Sequence, residues 1–332
     1  MILTITLNPA LDVTYRVDEI VLHGSHRVRS VHERAGGKGV NVSRVLHQLG
    51  HATTATGLLG GVIGEQVRAD LDAAGLDSAF VSIAGTTRRT VAVADPDDVT
   101  IFNEPGPTVT AAERDGLADR LGQLGRRATC VVMSGSLPVG LGPETYAELC
   151  AMLKTLPRAL PQTQPPSPAG PSPDLTDQSV RSHPALLVDT SGPALIAAAE
   201  AGADLLTPNA AELADATGIH DPYAAARHLR ELGAGAVVVT RGPDGMLAVT
   251  PDGVWSARLD ERLVGNPTGA GDAATAALAL GQASASRGVD WHQSLREAVA
   301  WSAAAVPVAH AGELDLATLD RLRPLVTVTK ET

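Results

Sequence analysis

Residues 204–240 read DLLTPNAAELADATGIHDPYAAARHLRELGAGAVVVT, a short apolar run, two helix patterns and a second apolar run. Strands at 204–207 and 236–240, with helices at 210–217 and 223–232 between them, make a strand–helix–strand unit, and a crossover of that length joins parallel strands. The pattern extends outward. Further apolar runs stand at ILTITLN (2–8), TCVVM (129–133) and ALLVD (185–189), with helix patterns at 143–153 and at 41–49, where Val42, Val45, Leu46 and Leu49 share one stripe. Runs this continuous suit strands covered on both faces. The expected fold class is α/β, a doubly wound and mainly parallel sheet.

Composition agrees. Aromatic residues are 2% of the 332-residue chain and hydrophobic residues 44%, so the core rests on Ala, Val and Leu, as helices packed on a sheet allow. A formal charge of -11 argues against a general polyanion-binding surface, so nucleic acid is not an expected partner. No stretch approaches the roughly 20 apolar residues of a membrane span. The opening MILTITLNPALD has no basic leader pattern, and a cytoplasmic protein without membrane attachment is expected. Cys130 and Cys150 cannot build a disulfide framework, Cys130 reads as a buried filler, and the histidines show no metal-ligand spacing.

Three segments depart from the strand–helix rhythm. Residues 11–35 and 85–106 alternate apolar and polar side chains around turn signals at HG and DPDD, which predicts a small β-lid over the carboxyl ends of the core strands. Residues 157–184, PRALPQTQPPSPAGPSPDLTDQSVRSHP, hold too much Pro, Ser and Gln for a packed element and read as a flexible surface insertion. The remainder reads as one domain over 1–332.

Five stretches carry candidate chemistry, each with a plain structural alternative. In AGGKGVNVSRVLHQLG (35–50) glycines admit close backbone approach and a helix start beside Lys38 attracts an anion, although a glycine-rich turn with an exposed lysine looks the same. In NPTGAGDAATAALA (266–279) Gly269, Ala270 and Gly271 can turn their amides toward an anion beside the carboxylate of Asp272, or Asp272 can simply cap the helix. In LLTPNAAEL (205–213) Asn209 and Glu212 share a helix face and suit Mg²⁺, or serve ordinary helix-start chemistry. The loops in MSGSLP (133–138) and VVVTRGPDGML (237–247) can line a pocket or merely turn the chain.

Taken in order, TLNPALD, GGKGVNV, TTRRT, SGSLP, TPNAAEL, VTRGPDG and GAGD resemble the successive motifs of the PfkB carbohydrate kinases, of ribokinase-like fold, over nearly the whole chain outside the insertion. TLNPALD and NEPGP are similar to the branch of 1-phosphofructokinases and tagatose-6-phosphate kinases. The resemblance implies that Asp12, Gly37, Lys38 and Asn41 line a sugar pocket, and that Lys38 with Arg88, or its neighbour Arg89, clamps a phosphate already on the substrate. It implies that Asn209 and Glu212 organise Mg²⁺ through water, that Thr240, Gly242, Asp244, Gly245 and Gly271 pack against ATP, and that Gly269, Ala270 and Gly271 form an anion hole. Asp272 would be the general base, with no need of a raised pKa, because the acceptor hydroxyl acidifies as phosphoryl transfer proceeds.

The implied reaction is ATP-dependent phosphorylation of a ketohexose monophosphate, D-fructose 1-phosphate to fructose 1,6-bisphosphate, with tagatose 6-phosphate and fructose 6-phosphate as alternative acceptors. A homodimer through the lid is expected, since a small isolated sheet exposes its edges. Two departures stand out: the strand around VTIFNEPGP lacks an arginine found in some 6-phosphofructokinase members, and TRGPDG replaces the more usual SLGADG type. A non-catalytic sugar-phosphate sensor is the rival of another class, and Asp272, Asn209 and Glu212 speak against it.

Overall fold

The computed structural model describes residues 1–96, 98–159, 181–285 and 288–331. Strand β1 (Ile2–Thr6) lies inside a ten-stranded sheet. The chain then leaves that sheet for a hairpin, β2 (Ala10–Arg16) and β3 (Ser30–Gly36), and returns through α1 (Lys38–Gln48) to β4 (Thr53–Gly60), parallel to β1. Helix α2 (Gly61–Ala73) leads to the edge strand β5 (Val81–Ile83). A second excursion makes the hairpin β6 (Arg88–Ala94) and β7 (Val99–Asn103), after which α3 (Ala111–Gly125) carries the chain to β8 (Cys130–Ser134) on the other side of β1.

From there growth runs one way. Helix α4 (Glu144–Lys154), β9 (Ala185–Asp189), α5 (Pro193–Glu200), β10 (Leu205–Leu206), α6 (Ala210–Thr217), α7 (Pro222–Leu232) and β11 (Val237–Thr240) add parallel strands in sequence. Three antiparallel strands finish that edge: β12 (Met246–Thr250), β13 (Gly253–Arg258) and, after α8 (Ala270–Ser284), α9 (Trp291–Ala304) and α10 (Leu316–Leu322), β14 (Thr327–Glu331). The order β14-β13-β12-β11-β10-β9-β8-β1-β4-β5 reverses direction between β1 and β8.

Strand alternation sorts side chains between two helix layers. Val237 and Val239 pack toward α3 to α7 with Leu121, Leu153, Leu195 and Leu229, whereas Val238 packs toward α1, α8 and α9 with Val42, Val45, Leu278 and Leu295. Burying each such side chain stabilises by about 1.5–3 kcal/mol relative to leaving it exposed. Helix α8 is buried over most of its length, and its alanines let it lie close to the sheet.

The two excursions meet as a four-stranded lid in the order β3-β2-β6-β7, antiparallel within each hairpin but parallel between β2 and β6. One face of the lid, through Leu11, Val13 and Ala35, packs on Ile63, Val67 and Leu71 of α2. The alternate face, with Asp12, Arg88 and Thr90, turns toward the carboxyl ends of the core strands.

Some expected elements shift. The strand read at 204–207 shrinks to Leu205–Leu206, because Asp204 turns its carboxylate onto the Leu186 amide (2.8 Å) and Thr207 sits at the cleft. Strand β4, TTATGLLG, escapes the apolar-run signal because threonine and glycine mask it, yet every residue in it is buried. Most of the 157–184 insertion lies outside the described residues. Its two ends meet where the Arg158 amide donates to the Ser182 carbonyl at 2.8 Å. Both cysteines are free and buried, and burial pushes each thiol up to about 12. Among the described residues no helix is long and apolar enough to cross a membrane.

Candidate active site

A cleft of about 940 Å³ opens at the carboxyl ends of β1, β8 and β9, beneath the lid, where the strand order reverses. That is the place at which open parallel sheets leave room for a ligand, because neighbouring connections depart to opposite faces.

The lid side supplies a carboxylate and a fork of donors. Asp12 sits on β2 opposite Arg34 of β3 and Thr90 of β6. Gly36 makes room for it, since a Cβ there would stand 1.9 Å from Asp12 Oδ2. Burial raises the Asp12 carboxyl to about 6, against the pull of Arg88 and Thr90. Arg88 is held in place by its own donors: Nε to the Asn8 carbonyl (3.2 Å), Nη1 to Thr90 Oγ1 (3.3 Å) and Nη1 to the Glu104 carbonyl (3.3 Å). Arg89 is exposed on the alternate side of β6, so the pairing register selects Arg88 as the arginine of the cleft.

At the other end stands the start of α8. Gly269 occupies the N-cap with φ of 89°, and a Cβ there would lie 2.8 Å from Ala311, so the position requires glycine. Among the described residues no side chain caps this end. The Ala270 amide donates to the Pro267 carbonyl at 3.1 Å and the Ala273 amide to the Gly269 carbonyl at 2.9 Å, which leaves the amides of Gly271 and Asp272 for an anion. A Cβ on Gly271 would meet nothing within 4 Å, consistent with its place on the cleft wall.

Asp272 is the third residue of α8, not its cap, and the capping alternative is overturned. Its Oδ2 accepts a 2.8 Å hydrogen bond from Asn41 Nδ2, across 231 positions of sequence. Only 7% of Asp272 is exposed. Burial, reinforced by the negative charge of Asp189, raises its carboxyl to about 7, while Lys38 and Asn41 oppose the rise. The carboxyl is therefore poised near neutrality, a rise that the base role expected from the sequence does not require.

Lys38 joins the two ends. Its Nζ lies 3.3 Å from both Asp189 Oδ1 and Glu212 Oε1. Burial disfavours its charge, but Asp189, Glu212 and Asp272 outweigh that effect and hold the ammonium above its ordinary value. Asp189 is a site residue that sequence reasoning misses. The available signal is a lone acid closing the apolar strand ALLVD at its carboxyl end; in the structure it is buried, and Ser134 Oγ donates to its Oδ2 at 2.8 Å. Asn8, likewise missed, fixes the cleft floor through Nδ2 to the Pro105 carbonyl (3.1 Å) and Ser136 Oγ (3.2 Å).

Asn209 and Glu212 form a reciprocal capping box on α6: Asn209 Oδ1 accepts from the Glu212 amide (2.8 Å) and Glu212 Oε2 from the Asn209 amide (2.9 Å). That leaves Glu212 Oε1 facing Lys38. Gly37 and Thr240 line the cleft. Gly242, Asp244 and Gly245 form the short turn after β11 and do not line it, and Arg241 folds back there, donating from Nη2 to the Asp244 carbonyl at 3.2 Å.

The profile of the pfkB family of carbohydrate kinases matches residues 6–188 and 174–317. A 1-phosphofructokinase of Rhodobacter capsulatus is 33% identical over 313 residues, 92% of this chain and 90% of that protein. A tagatose-6-phosphate kinase of Staphylococcus epidermidis is 29% identical over 293 residues, 85% of each chain. Among solved structures, phosphofructokinase-2 of Escherichia coli in complex with potassium superposes with a TM-score of 0.82 at 25% identity, covering 97% of this chain and 98% of its own.

Proposed function

The chain belongs to the pfkB family of carbohydrate kinases and is an ATP-dependent sugar kinase, and from that premise we propose that its acceptor is a ketohexose monophosphate, D-fructose 1-phosphate first. The observation that carries this reading is the pairing, in one cleft, of a fixed lid arginine with a buried carboxylate at an uncapped helix start. Arg88 offers a planar fork to the phosphate that the acceptor already bears. Asp12 accepts from sugar hydroxyls, and Gly37 and Asn41 close the pocket around the ring.

The acceptor hydroxyl then lies against Asp272, with the γ-phosphoryl group of ATP at the α8 start. As the acceptor oxygen bonds to phosphorus, the bond to the bridging oxygen of ADP breaks and the hydroxyl proton passes to Asp272. The α8 amides stabilise the charge that gathers on the transferring group. Lys38 stands between the two halves, within reach of a phosphoryl group crossing from one to the other. Asp189 Oδ1 and Glu212 Oε1 already flank one cation, and oxygen donors of this kind fit Mg²⁺, which when bound would neutralise phosphate charge.

Coupled measurement of ADP release tests the assignment across fructose 1-phosphate, tagatose 6-phosphate, fructose 6-phosphate, fructose and ribose. The expected result is the highest kcat/KM with fructose 1-phosphate and little turnover of the unphosphorylated sugars. A preference for either 6-phosphate would move the acceptor within the class, and no ADP release with any of them would sink the reading.

The lid also suits pairing with a second copy. Val31 and Phe102 lie 56% and 59% exposed on edge strands β3 and β7, together with Ile101 and Val99. A homodimer through the lid accounts for these apolar side chains. Sedimentation velocity should show Phe102→Glu shifting the protein toward monomer, and an unchanged dimer would place the interface elsewhere.

A further inference from the structure

Strand β3 touches the connection between α9 and α10 beside the start of α8. The His32 ring stacks on His310 with centroids 4.0 Å apart and planes 19° from parallel. Arg34, two residues on and on the same face, pairs with Glu313 at 2.8 Å and reaches the Ala311 carbonyl at 3.5 Å. His310, Ala311 and Glu313 belong to the connection between α9 and α10. That connection abuts Asn41 and the start of α8: Ala311 packs on Gly269, and Gly312 lies against Asn41 and Arg44.

We propose that His32, Arg34, His310 and Glu313 form a latch that holds the lid against the connection beside α8, and that protonation of His310 within the stack releases it. Two stacked rings tolerate each other when at least one is neutral, and repel when both carry charge. The surroundings of His310 sharpen that response. Besides burial, His32 and Arg34 on β3 and Arg16 on β2 disfavour a charged His310, while Glu313 favours it. Glu313 is itself engaged by Arg34, so it offsets only part of the repulsion.

The sign follows from the direction of the shift. His310 is held below its ordinary value, so the folded, latched state takes up this proton less readily than the open chain does. The latch is intact while His310 is neutral and weakens as pH falls below imidazole's ordinary range, near about 6.5. On the sugar side, Arg34 stands directly across from Asp12, so release loosens the strand that backs the carboxylate facing the sugar.

Hydrogen–deuterium exchange of the substrate-free protein tests this. After correction for intrinsic rates, exchange of amides 30–36 should rise about fivefold to tenfold between about pH 7.5 and about pH 5.5, the scale expected from one released proton-sensitive contact. His310→Phe keeps an aromatic ring that cannot charge, and its protection should be independent of pH. Glu313→Gln should exchange faster at both pH values. An acid-induced rise of wild-type size in His310→Phe, or no rise in the wild type, overturns the proposal. The readout needs no substrate, so its failure is distinct from failure of the kinase assignment.

Discussion

Replacing Asp272 with Asn lowers kcat by about 10²–10⁴-fold, the contribution of a positioned general base, while the KM for ATP changes little. The substitution preserves size and the neighbouring Asn41, but removes the only function that depends on a free lone pair able to take a full proton. In the wild type, the carboxyl raised to about 7 makes kcat/KM fall as pH drops through that value, because the protonated acid cannot serve as base. That limb should vanish from the residual activity of the variant. Near-normal turnover in Asp272→Asn would remove this residue from the base role.

The same substitution has a second, opposite consequence for stability. A carboxyl whose folded-state pKa lies above its ordinary value of 3.8 binds its proton more tightly in the folded chain, so folding loses stability as pH rises from about 4 to about 7. The side-chain amide of the variant does not titrate and would not share that loss. Thermal melting should therefore show the variant matching the wild type in acid and exceeding it near and above neutrality. Gain in stability with loss of turnover is the pattern expected of a group kept for chemistry at the expense of the fold.

The second large effect belongs to Lys38. Lys38→Met should reduce kcat/KM at neutral pH by on the order of 10²-fold and move the acid limb of the profile upward by about a unit or more. The reason is local. Lys38 is the charge that opposes the rise of the Asp272 carboxyl, and without it Asp189, Glu212 and Asp272 face one another with no ammonium between them. The variant should regain part of its rate at higher pH, as the base is freed. A lowered rate with an unmoved limb would mean that Lys38 acts only by contacting substrate and does not tune the base.

The glycine loop around Lys38, the GAGD turn and the Asn209 to Glu212 spacing are local signals, and each lies at the cleft in the structure. Their meaning is ambiguous in the sequence because a turn, a cap and an anion site use the same residues. What separates them is tertiary: Asn41 reaches Asp272 across 231 positions, and Lys38 reaches Asp189 across 151. Asp189 lies alone at a strand end with no spacing partner, so its one local mark is that it closes the apolar run ALLVD. The choice between Arg88 and Arg89 likewise needs the register of β6 on β2, in which Arg88 pairs with Ala10. The turn from Gly242 to Gly245 shows the reverse, a motif whose local form is clear but whose residues stand back from the cleft wall.

The parallel pairing of β2 with β6 has a consequence for the order in which the molecule assembles. A parallel pair cannot be closed by a tight turn, and its strands here arrive from two excursions with α1, β4, α2 and β5 lying between them in the chain. The entropy of closing so long a loop is offset only once the intervening core has collapsed. A nascent chain thus has a framework before it has a lid, and the approach of Asp12 to Arg88 is among its last steps. On the proposed assignment of Asp12 and Arg88, recognition of the acceptor comes into being with the final closure of the fold.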